Sequence, residues 1–289
     1  MAQLVRIAIP AALAGGVVQV NLVVGQLVAS QTDKAVSWLY AADRLYQLPL
    51  GVVGIAVGIV LLPDLARRLK AGDGDGARHA LSRGGEVALA LTVPCAVALV
   101  VIPLPLVAVL FERGAFGADD SAATALAVAV YGLGLPAFVL QKIMQPVFFA
   151  REDTRRPFRY AALAMVVNAV LAFGLAPVIG WIAAALATTV AAWVMVWQLA
   201  RGARGFGDVA QFDAQFRRRL WRIVLASAIM GAVLWGAAVV LGPFLALAGW
   251  RWLALVLLVA LGVLSYGLAG QGLGAFRVQE MRGQFRRRR

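Results

Sequence analysis

Between Arg159 and Arg201 the chain runs for 41 residues without a charged side chain. That is twice the roughly 20 apolar residues a helix needs to cross a bilayer. The run contains Ala176-Pro-Val-Ile-Gly180, whose proline and glycine mark a tight turn, so two helices are expected there. Similar stretches recur along the chain. Residues 7–32 are uncharged, residues 45–62 are uncharged with a helix that can begin near Val36, and residues 87–111 are uncharged. Residues 121–150 are broken only by Lys142, and residues 223–241 and 252–273 complete the set. The chain is therefore expected to be an all-α polytopic membrane protein with eight transmembrane helices. Composition agrees: 62% of residues are hydrophobic and 14% charged, against about 45–50% and 25% in soluble domains. One soluble core of this length could not hide so much apolar surface. A soluble enzyme and a disordered chain are both excluded.

Arg6, the apolar run after it and Ala12-Leu-Ala14 imitate a secretory signal. The apolar stretch continues to Val28, beyond the roughly 7–15 residues of a signal core, so a retained helix is expected. The sequence has one cysteine, Cys95, and one histidine, His79. No internal disulfide can form, and a His/Cys zinc site lacks its ligands. Cys95 sits in an apolar run and is read as a packing residue.

A net charge of +13 would suit a nucleic-acid binder until the charges are placed. An even number of spans puts both termini on one face. Of the 27 Lys and Arg residues, only Lys34, Arg113 and Arg251 fall on the opposite face, while Arg44 and Lys142 fall within spans. All the others share the face of the termini. That asymmetry is the positive-inside pattern, which puts both termini in the cytoplasm and assigns the basic residues to anionic headgroups rather than to nucleic acid.

Several motifs give way to plainer readings. Gly72-Asp-Gly-Asp-Gly76 imitates a calcium loop, but the position that needs a glutamate holds Gly84, so a flexible connection is expected. Asp119-Asp120 suits a helix N-terminus. Gly270-Gln-Gly-Leu-Gly274 follows a membrane helix rather than a strand, which removes a dinucleotide site. No cofactor is expected.

The charges inside the spans carry the functional candidates. On the second helix Tyr40, Arg44, Gln47, Gly51, Gly54 and Gly58 fall on one stripe at 100° per residue. A guanidinium there can snorkel to the surface or grip a phosphate, with Asp43 beside it as a resting partner. Gly51, Gly54 and Gly58 serve helix packing or a hinge. Lys142 shares a face with Phe138, Gln145 and Phe149, and is either a surface anchor or a cavity residue. The first span adds Gly15, Gln19, Gln26 and Ser30. Polar inward faces on several helices describe a transport cavity.

Ser37-Trp-Leu-Tyr-Ala-Ala-Asp-Arg-Leu-Tyr-Gln-Leu-Pro49, Gly51-Val-Val-Gly54 and Leu61-Leu-Pro-Asp-Leu65 resemble the MurJ (MviN) family of lipid II flippases, as does Lys142-Ile-Met-Gln-Pro-Val-Phe-Phe-Ala-Arg-Glu-Asp-Thr-Arg-Arg-Pro157. The resemblance implies the fold of the multidrug/oligosaccharidyl-lipid/polysaccharide (MOP) exporters, in which two six-helix lobes surround a cavity and two helices follow. Residues 1–205 would be the second lobe, and residues 206–289 the final pair with a basic tail. The first lobe would be absent, through a partial chain or through assembly with another copy or a separate lobe. The implied activity is alternating-access flipping of the undecaprenyl-diphosphate-linked peptidoglycan precursor in the bacterial inner membrane, with no covalent chemistry. Membrane lipids and cell-wall synthesis proteins are the further expected partners, and no nucleic acid is. Arg44 matches the family's cavity arginine for diphosphate. Gln47 stands where the family can carry an acid, and Asp43, Gln47 and Lys142 complete the substrate-binding candidates. Three alternatives stand beside this one: an exporter of drugs or another lipid-linked glycan, a membrane enzyme acting on polyprenyl diphosphates, and a non-transporting scaffold.

Overall fold

The computed structural model describes residues 21–56, 61–207, 210–247 and 249–275. Helical residues 21–29 form α1. The helices α2 (Ala35–Ala56), α3 (Leu62–Lys70), α4 (Gly74–Val101) and α5 (Pro103–Phe111) follow. Next come α6 (Ala118–Phe149), α7 (Arg155–Ile179), α8 (Ile182–Ala203), α9 (Ala214–Ala246) and α10 (Arg251–Gly272). Among the described residues there is no strand. Six of these helices are long and apolar enough to cross a membrane: α4, α6, α7, α8 with its short continuation to Phe206, α9 and α10. The expected first span lies mostly outside the described residues. The second is α2, which is not among the six.

Hydrocarbon offers no hydrogen bonds, so spanning helices satisfy their own backbones and turn apolar side chains outward. Val170, Val178, Trp235, Val240, Val263 and Leu268 are all exposed on the outside of the bundle. α6 is the axis of the bundle. It packs against α2, α4, α5 and α8, while α7 lies on α8 and α9 joins α4 to α10. Small side chains make the α8 approach close, with Ala183, Ala184, Ala185, Ala187, Ala191 and Ala192 all buried.

The expected turn in the long uncharged run is present. α7 continues through Pro177 to Ile179, and Gly180 then takes φ +65°, a conformation that favours glycine. Asp120 also behaves as expected. Its carboxylate accepts from the Gly117 amide at 3.0 Å at the start of α6, and further takes the Trp38 indole at 2.9 Å and Lys34 at 3.4 Å.

Two expectations change. The Gly72–Gly76 segment is not a loose connection: α4 begins at Gly74, with Asp73 as its N-cap accepting from the Gly76 amide at 2.8 Å. The single span over residues 87–111 is instead two helices, interrupted at Ile102 before Pro103. Proline cannot donate to the preceding turn, and it restarts a helix readily at the first position.

The basic segments are also more helical than loops. Arg78 and Arg83 lie on α4, Arg155, Arg156 and Arg159 on α7, and Arg217, Arg218, Arg219 and Arg222 on α9. Here helices continue past their apolar windows, and ion pairs support the charged turns. Arg83 donates to both Asp213 oxygens at 3.0 and 3.1 Å, and both Arg83 and Arg219 pair with Glu86.

Candidate functional site

The bundle frames a partly open cavity of about 760 Å³ lined by α1, α2, α6, α7 and α8. Polar, aromatic and small apolar side chains meet in it. From α1 come Asn21, Gly25 and Gln26; from α2, Tyr40, Asp43 and Tyr46; and from α6, Tyr131, Phe138, Gln141, Lys142 and Gln145. α7 and α8 add mainly small or apolar groups, among them Pro157, Phe158, Ala184, Ala191 and Met195.

The aromatic wall is held by its own packing. Tyr46 stacks on Phe138 at 5.3 Å between ring centres and lies 5.0 Å from Tyr131. Asp43 takes hydrogen bonds from Tyr46 and Gln47, so its carboxylate is already occupied. Gln141 donates to the Ala192 carbonyl at 2.9 Å, tying α6 to α8. Asn168, 1% exposed within the apolar α7, donates to Asn21 at 2.9 Å and ties α7 to α1. Among the described residues no group of three or more His, Cys, Asp or Glu could hold a metal.

Lys142 lines the cavity, and among the described residues no carboxylate pairs with it. A Cβ placed on Gly54 would meet its Cδ, Cε and Nζ at 3.6, 3.7 and 3.8 Å. The glycine therefore gives the lysine stem a flat surface on α2.

The sequence candidates separate in space. Asp43 and Lys142 line the cavity; Arg44 and Gln47 do not. Arg44 is exposed on the flank of α2, where its guanidinium hydrogen-bonds the Tyr40 hydroxyl and lies 4.6 Å from that ring. Since Tyr40 is itself a lining residue, Arg44 reaches the cavity through it. Gly51 faces open space. Gly58, Gly15 and Gln19 lie outside the described residues, as do Arg6 and the basic tail. Phe138, Gln145 and Phe149 line the cavity with Lys142, as their shared face predicts.

Sequence reasoning did not single out Asn21, Tyr46, Tyr131, Gln141 or Asn168. A signal was present for Asn168, an isolated amide in a long uncharged run, and for Asn21, which stands between Gln19 and Gln26 on the first span.

The sequence model of the family described as lipid II flippase MurJ matches residues 1–260. The chain belongs to that family. Among curated relatives, a probable lipid II flippase MurJ of Rhizobium tropici is 47% identical over 232 residues, covering 80% of this chain and 43% of the relative. One from Vibrio cholerae is 36% identical over 268 residues, covering 89% of this chain and 49% of the relative. The chain thus spans about half the length of the curated MurJ relatives it matches. A solved lipid II flippase MurJ in an inward closed conformation aligns with a TM-score of 0.73 at 26% identity, covering 88% of this chain and 50% of that one. An outward-facing multidrug MATE transporter of the MOP superfamily aligns with a TM-score of 0.58 at 19% identity, covering 94% of this chain and 64% of that one. The second is a likeness of fold alone. The chain therefore has the all-α membrane fold of these transporters over the half to two thirds of their length that it matches.

Proposed function

We propose that this chain forms one lobe of a lipid II flippase, acting with a first lobe to carry the lipid-linked peptidoglycan precursor across the bacterial inner membrane. The observation that carries the proposal is Lys142: an ammonium with no carboxylate partner among the described residues, lying along Gly54 on the wall of a large cavity in an apolar bundle. An ionisable side chain on a membrane-spanning helix that faces a cavity marks a pathway. A diphosphate is the complementary group. Lys142 would meet it inside the cavity and Arg44 from the flank, whose guanidinium fits phosphate oxygens bidentately. The transport step breaks no bond; two lobes rock about the site.

In this proposal residues 1–205 are the lobe, and residues 206–289 are the added pair and tail. The support is that α9 and α10 pack on each other and on α4, and contribute nothing to the cavity lining. Both termini would lie in the cytoplasm, supported by the segregation of the arginines. A reporter active only in the periplasm, fused after Arg289, should stay silent.

The deciding experiment joins this chain to the first lobe of a relative in cells depleted of their own flippase. Rescue of growth is expected, and its loss in Lys142→Ala at equal membrane abundance. A stably inserted fusion that never rescues would overturn the assignment.

A further inference from the structure

Away from the large cavity, at the arginine-bearing end of the bundle, Arg156, Arg159, Tyr160 and Leu163 of α7 and Gln198 of α8 line a second cavity of about 460 Å³. Its polar side chains are guanidinium, hydroxyl and carboxamide, and among the described residues no carboxylate lines it. Arg156 is paired with Asp153 at 3.2 Å and lies over the Phe206 ring. Arg159 is exposed and has no ion pair among the described residues. Gln198 is the decisive member: it is 6% exposed, yet its Nε2 has no hydrogen-bond partner. A buried donor left unmade is costly, and an oxygen brought into the cavity would satisfy it. The Tyr160 hydroxyl occupies the place a Cβ on Gly202 would take, so the glycine lets this ring cross the end of α8. Leu163, one turn deeper than Arg159, is 51% exposed, and Trp197 beside Gln198 is 60% exposed.

Donors at the mouth with an apolar wall below fit a molecule that straddles the membrane boundary. We propose that this cavity binds the phosphodiester headgroup of an anionic membrane phospholipid. Arg159, Gln198 and the Tyr160 hydroxyl face the phosphate oxygens, and the acyl chains run along Leu163. With no carboxylate among the described lining residues to receive a choline or ethanolamine, a zwitterionic headgroup gains less. A free phosphate makes no use of the apolar wall. The site requires only that α7 and α8 cross the membrane, and is independent of what the large cavity carries.

The test titrates the full chain in detergent with phosphatidylglycerol and counts bound lipid by native mass spectrometry. Arg159→Gln and Gln198→Leu should each weaken binding by about tenfold, the weight of one charge-assisted contact. Arg204→Gln, an exposed arginine at the same end but outside the lining, should leave binding unchanged. Phosphatidylcholine should bind weakly and equally to all. Because Gln198 is buried, Arg159→Gln on the surface keeps the test decisive if the former does not fold. An undiminished Arg159→Gln, or an equal loss in Arg204→Gln, overturns the site. Inorganic phosphate competing as well as the lipid overturns the lipid as occupant.

Discussion

Lys142 of α6 lies along Gly54 of α2, its ammonium 3.8 Å from the point where a Cβ on that glycine would stand. The contact distance is ordinary, so a methyl group fits and a branched side chain does not. Gly54→Ala should preserve function in the two-lobe fusion. Gly54→Leu should drive the lysine off α2 and lower rescue towards that of Lys142→Ala, with membrane abundance retained. Equal rescue by both variants would remove Gly54 from the site.

Arg44 stands on the flank of α2 over Tyr40. If it meets the diphosphate from there, Arg44→Ala should slow transport about tenfold or more, as expected for a lost charge-assisted pair. Tyr40→Phe keeps the ring under the guanidinium and should cost less than Tyr40→Leu. Transport of labelled precursor in reconstituted vesicles ranks the variants, and an Arg44→Ala chain that matches the parent ends the diphosphate role.

Asp213 carries a pH dependence of definite sign. Burial pushes its carboxyl up, but the Phe216 amide, the Arg83 guanidinium and the field of His79 outweigh that and hold it below the ordinary range. As pH falls, the unfolded chain takes up its proton first, at about 3.9. The stabilisation is complete above that pH and is lost as pH falls through the folded value. Asp213→Ala should lower stability at neutral pH by about 1 kcal/mol through the cap alone, and should flatten the acid dependence of Tm in detergent. A parent-like acid slope in the variant would refute this.

Asp120 joins the start of α6 to Trp38 and Lys34 beside the start of α2. Asp120→Ala strands the Trp38 indole and the Gly117 amide together, so its Tm should fall further than that of Lys34→Ala, which removes only an exposed partner. Thermal unfolding of both variants in one detergent settles the order.

Of the eight expected spans the sequence makes α6 to α10 legible as placed, with the turn at Gly180 and the Asp120 terminus, because hydropathy, glycine and a helix-end acid act locally. It misplaces α4, since counting uncharged residues stops at Glu86, whereas Arg83 and Arg219 pair with that carboxylate and let the helix run on. The candidate site is legible as a set of residues but not as an arrangement. Helical periodicity groups Arg44 with Tyr40 and Gln47, yet it cannot say which edge of that stripe faces inward. Tyr40 and Asp43 line the cavity while Arg44 and Gln47 stay on the flank, a choice set by how α2 leans on α6. Gly54 shows the same limit: its spacing suggests helix packing, and only the fold reveals Lys142 beside it.

The turn at Gly180 has a consequence for biogenesis. Two residues separate α7 from α8, helices of about 37 and 33 Å at 1.5 Å per residue. So short a link leaves no slack for one to enter the bilayer while the other waits outside. They are expected to enter the bilayer as one hairpin. A residue that keeps α8 from entering is therefore expected to strand Asn168 as well, and with it the tie to Asn21 of α1, 147 residues earlier.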